Sequence, residues 1–248
     1  MATANPAMSE AAYWRAGPAA TPAQAMTVQG TAVKAAVLVV ILLAAAAYTW
    51  AQAAAGPTAL TYGLLTAGAI GGFVTALVTI FAPKVSPFTA PLYAALEGLV
   101  LGAISAVFEG TYPGIVIQAV GLSVGVLAVM LFVYGTGIIR ATAKFKIGVV
   151  VATGAVCLVY LVDIVASLFG TRLPFIHETG PVGIGFSLVV VVIAALNLIL
   201  DFDFIEQGVR QRAPGYMEWY GGFSLLVTLV WMYLEILRLL AKLRGGRD

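Results

Sequence analysis

The sequence predicts an all-α membrane protein, a bundle of seven transmembrane helices, and three observations carry that prediction. Of its 248 residues 61% are hydrophobic and only 10% are charged, too little polar surface to coat a water-soluble globule. The apolar residues fall in seven runs of about the 20 residues that a helix needs to cross roughly 30 Å of hydrocarbon. The connections GPTA, PKVSPFT, EGTYPG, RATAKFK and TRLPFIHETGP are short and QGVRQRAPGY is longer; short connections make consecutive helices antiparallel neighbours.

In chain order, residues 1–28 are rich in Ala and Pro, carry Glu10 and lack an early apolar core. They read as a disordered tail rather than a signal peptide. The membrane domain spans 29–243, with helices expected at approximately 35–55, 60–82, 90–108, 115–139, 147–169, 182–203 and 221–241, and residues 244–248 form a short basic tail. Glycines inside the spans, as in TAGAIGG and GLVLGAIS, let helix backbones approach closely. With the N-terminus inside, the inner segments carry Arg15, Lys34, Lys84, Arg140, Lys144, Lys146, Arg210 and Arg212, and the outer loops only Arg172. That bias orients the N-terminus to the cytoplasm. Arg238, Lys242, Arg244 and Arg247 follow the seventh span against the trend, and we read them as overruled by the six spans before them.

Composition also excludes classes of function. A net charge of +2 without a basic, aromatic-interleaved patch gives no nucleic-acid surface. Cys157 is the single cysteine and forms no intrachain disulfide. His177, in FIHETG, reads as a solvated loop residue. An intramembrane aspartyl protease would show a GxGD-like stretch and a rhomboid-type protease a membrane-embedded His, and neither is present in the sequence. A retinal protein needs a Lys within the last helix, where Lys242 stands only at its end. The chain is therefore not expected to be an enzyme.

The chemistry lies in acids within the spans, which are costly there and point to function. Glu97 falls in the third span, Asp163 toward the outer end of the fifth, Asp201 near the inner end of the sixth and Glu235 near the middle of the seventh. Helical spacing puts Asn197 and Asp201 on one face, Trp231 and Glu235 on another with Arg238 close beyond, and Tyr160, Asp163 and Ser167 in one stripe. Bland readings stand beside these: Glu235 paired with Arg238, Asp163 as packing glue, Glu109 as a loop charge, and Asp203 and Glu206 solvated beside Arg210.

SPFTAPLYAALEGLVLGAIS, NLILDFDFIEQG and WMYLEILRLL, in that order, resemble the third, sixth and last helices of the transmembrane Bax inhibitor motif family, in a bacterial form. The resemblance covers about residues 26–243. It implies a seven-helix bundle with the last helix central, in a bacterial inner membrane, acting as a pH-sensitive calcium leak channel. It implies further that a carboxylate pair, Asp201 and Glu235, links the sixth and seventh helices, with Lys84 as the basic partner. Leu200 stands where the family has Tyr, Glu235 replaces Asp, and GVRQRAPGYMEWY lengthens the connection between the two helices.

Two such carboxyls in a low-dielectric interior cannot both ionise cheaply and titrate together. One shared proton would latch the helices, and its loss would separate them or let Ca²⁺, which favours hard oxygen ligands, sit between Asp201 and Glu235. Asn197, Glu97 and Asp163 are the further pathway candidates, and Asp203 and Arg238 the secondary ones. No cofactor is expected; calcium and protons are cargo, and the lipid bilayer is the constant partner. Two alternatives remain: a proton-coupled cation transporter using the same acids as a relay, and a regulatory protein that binds other membrane proteins.

Overall fold

The structure, a computed structural model, describes residues 25–56, 58–171, 173, 176 and 178–246. The tail through Gln24, Arg172, His177 and Arg247 lie outside the described residues. The described residues are all-helical, with seven long apolar helices among them: α1 Val28–Ala54, α2 Ala59–Phe81, α3 Ser86–Thr111, α4 Ile115–Gly135, α5 Ala143–Leu168, α6 Pro181–Arg210 and α7 Met217–Gly245. Each is long and apolar enough to cross a membrane, which identifies an integral membrane protein. A one-turn 3₁₀ helix, Pro83–Val85, joins α2 to α3.

Local chemistry sets the ends. Thr27 caps α1 by accepting from the amide of Gly30 at 2.8 Å, Thr58 and Thr61 form a capping box at α2, and Thr142 caps α5; each hydroxyl satisfies amides that no helical carbonyl reaches. Gly114 takes a left-handed φ of 78° between α3 and α4, a conformation open to a residue without Cβ.

The chain divides into two compact units. The first, over the described part of 6–113 and 203–227, contains α1, α2, α3, the end of α6 and the start of α7. Its helices close on glycine. A Cβ on Gly98 would stand 2.3 Å from the carbonyl oxygen of Leu42, and one on Gly102 2.1 Å from that of Ala46, so α1 and α3 touch backbone to backbone. Met26, already buried, donates its amide to Ala213 at 2.7 Å, and Ala25 pairs with Pro214. Thus the chain is placed from Ala25, and α1 starts at Val28 rather than near residue 35. The Glu218 carboxylate accepts from the amide and hydroxyl of Thr27 at 3.0 and 2.9 Å, with Lys34 at 3.9 Å. The start of α7 packs on α1 through Gly222 against Ala35, and on α3 through Phe223, whose ring lies edge-on to Tyr93 with 5.0 Å between centroids.

The second unit, 114–202 with 228–248, contains α4, α5, most of α6 and the rest of α7. There α7 again meets several helices, with Glu235 and Arg238 on Tyr160 of α5, Lys242 on α6 and Arg244 on Gln118 of α4. The last helix thus packs against several others in each unit, and it is the most buried of the seven. It reaches Gly245, so Arg238, Lys242 and Arg244 belong to the helix rather than to a tail beyond it.

Candidate functional site

The polar interior of the second unit is assembled from α5, α6 and α7. Glu235, three-fifths of the way along α7, is 2% exposed. One of its oxygens accepts from the Tyr160 hydroxyl at 2.8 Å and from Arg238 at 2.9 Å; the other accepts from Arg238 at 3.1 Å. The Arg238 guanidinium also donates to the Tyr160 oxygen at 2.6 Å and lies 5.1 Å from that ring's centre. The three groups form a closed triangle in which phenol, carboxylate and guanidinium each touch the other two. A charge removed from water is tolerable when its lone pairs are met in this way.

Asp201, on α6, is 0% exposed. One turn before it Asn197, also buried, donates its amide to Thr153 of α5 and to the carbonyl of Ile193, both at 2.8 Å. The shared face expected of Asn197 and Asp201 is therefore an interior one.

Register separates the two acids. The Lys242 ammonium meets Gly183 and Ser187 of α6, which fixes where α7 runs beside α6. Counting at about 1.5 Å per residue, Glu235 lies some 10 Å along α7 from that point and Asp201 some 20 Å or more along α6. The two therefore differ in depth by about 10 Å or more, and the oxygens of Glu235 are already engaged by Tyr160 and Arg238. The basic partner of Glu235 is Arg238; Lys84 is exposed in the 3₁₀ turn of the first unit.

The remaining expected residues fall elsewhere. The Asp163 carboxylate accepts from the amide of Leu173 at 3.0 Å, tying the end of α5 to the following loop. The Tyr160–Asp163–Ser167 stripe thus serves three tasks, since the Ser167 hydroxyl donates to the carbonyl of Ile164. Glu97 is half-buried in the first unit, with a carboxylate oxygen 3.4 Å from where a Cβ on Gly72 of α2 would stand. Asp203 accepts from Gln207 and Glu206 from Arg210, both within the last two turns of α6.

Sequence reasoning missed Lys242, which is 5% exposed, and its acceptor Ser187. A hydroxyl inside an otherwise apolar run was the available signal. Lys242 stands in the last turn of α7, as the sequence suggests, and its ammonium is committed to two oxygens of α6. Among the described residues no three His, Cys, Asp or Glu side chains gather as a metal site.

A family model described as Bax inhibitor 1 like matches residues 5–245 of the chain. No curated protein matches it, and no solved structure does.

Proposed function

The chain belongs to the Bax inhibitor 1 like family, and on that footing we propose that it is a passive, pH-sensitive cation leak channel with Ca²⁺ as the leading ion. The observation that carries the proposal is the placement of two carboxyl groups, Asp201 and Glu235, inside membrane-length helices at 0% and 2% exposure. A charged residue at the bilayer centre costs about 2.5–3.5 kcal/mol even on insertion scales, so acids kept there mark ion and proton pathways.

The two acids have separate tasks in this reading. Asp201 is the titrating group: ionised, it attracts a cation to the interior; protonated, it does not, so the leak depends on pH. Asn197 orients the α6 face that carries it through Thr153 of α5. Glu235, already neutralised by Arg238 and hydrogen-bonded to Tyr160, joins α7 to α5 at a different depth from Asp201 and holds the helices of the unit together. Calcium passes as cargo. The Lys and Arg bias of the sequence supports a cytoplasmic N-terminus, and a bacterial inner membrane is part of the same proposal.

The test is Ca²⁺ entry into proteoliposomes driven by a Ca²⁺ gradient, with and without an imposed proton gradient. Entry that follows the Ca²⁺ gradient alone, and that Asp201→Asn reduces, supports the leak. Entry that requires the proton gradient would favour a proton-coupled transporter, and entry identical in wild type, Asp201→Asn and Glu235→Gln would remove the basis of both.

A further inference from the structure

The Lys242 ammonium is 5% exposed and donates to the carbonyl oxygen of Gly183 at 2.9 Å and to the hydroxyl oxygen of Ser187 at 2.8 Å. Ser187 is itself fully buried. The two oxygens lie one turn apart on α6 and converge on one positive nitrogen. Both are neutral. Backbone carbonyl oxygens are groups with which channels and transporters replace a cation's hydration shell, and here a carbonyl is joined by a hydroxyl. The ammonium is the cation these two oxygens hold.

We propose that the Gly183 carbonyl and the Ser187 hydroxyl form a cation-binding site, selective for a monovalent cation of ammonium size, which the side chain of Lys242 fills as a tethered cation. Resting on the cation leak proposed above, the consequence is that Lys242 restrains that leak. Arg238, one turn back on the same face of α7, is a second positive charge, matched by Glu235. A cation entering the leak therefore meets a fixed positive charge seated at the site. Removing the charge takes the ammonium away from both oxygens and opens its place to a free ion.

Lys242→Ala removes the equivalent of n-propylammonium, so that ion is the probe. In purified protein, n-propylammonium chloride should raise the thermal midpoint of Lys242→Ala above its value in equimolar tetramethylammonium chloride, which cannot donate a hydrogen bond. Wild type should show no such difference, and Ser187→Ala combined with Lys242→Ala should lose it. This readout needs no transport, so it separates the site from the leak. In proteoliposomes, Lys242→Ala should admit Ca²⁺ several-fold faster than wild type, and n-propylammonium should slow it again. Lys242→Met, which keeps the aliphatic packing, should also leak faster and serves where the alanine variant does not fold. An equal midpoint in the two ammonium salts for Lys242→Ala, or a Lys242→Met leak equal to that of an active wild type, would overturn the proposal. A propylammonium-specific shift without Ca²⁺ entry in any variant would uphold the site and reject the leak.

Discussion

The two units solve the problem of packing helices in lipid in opposite ways. The first closes backbone on backbone: Gly98 and Gly102 admit the carbonyls of Leu42 and Ala46, and its threonines return their hydroxyls to carbonyls one turn back, as Thr75 does to Gly71 and Thr79 to Thr75. Its Glu218 ion pair with Lys34 lies at a helix start. The second unit places charge inside, with Asp201, the Tyr160–Glu235–Arg238 triangle and Lys242. In lipid there is no hydrophobic drive between helices, so either close van der Waals contact or hydrogen bonding must hold them. The second device leaves buried charged groups that can respond to protons or cations, and the function proposed above rests on that unit.

The largest expected effect breaks the triangle. Arg238→Met leaves the Glu235 carboxylate buried without its cation, a change that costs about 3–5 kcal/mol in fully buried pairs; the low end is expected, because the Arg238 side chain is 38% exposed. Thermal unfolding in detergent should recover much of that loss in Arg238→Met combined with Glu235→Gln. If the double variant is no better than the single one, the pair is not what the arginine supports.

The next sharpens the contrast from the other side. Gly102→Ala should cost roughly 1–3 kcal/mol by overpacking against α1, whereas Gly121→Ala on α4, where a Cβ meets nothing within 4 Å, should be neutral or slightly stabilising. Equal melting points for the two variants would contradict the close contact of α1 and α3. Smaller again is the amide bridge, for which a double-mutant cycle of Asn197→Leu and Thr153→Val should give a coupling of about 0.6 kcal/mol, the average for such bonds in membranes. At the bottom stands Arg210→Ala, whose exposed pair with Glu206 should change stability by less than about 1 kcal/mol.

All seven helices were legible because apolar length alone decides them. Their ends were less so. α6 runs to Arg210 instead of stopping near 203 because Asp203 and Glu206 find partners one turn on, in Gln207 and Arg210, and carry the helix past its apolar run. α4 stops at Gly135, short of the expected 139, where Gly137 turns left-handed with a φ of 73°. At the site, the acids could be read as acids, and the pairing of Glu235 with Arg238 was visible as helical spacing. Tyr160 as their third member was not, since it lies 75 residues from Glu235 in the chain. The depth of Asp201 relative to Glu235 depends on how α6 and α7 slide past each other, which a connection of uncertain length does not determine.

The most direct test of a working acid in the second unit is the initial rate of Ca²⁺ entry into proteoliposomes, measured after jumps to a series of pH values, for wild type and Asp201→Asn side by side. The account predicts a rate that varies with pH in wild type and is lower and flat in the variant. A variant that keeps both the rate and its pH profile would contradict it.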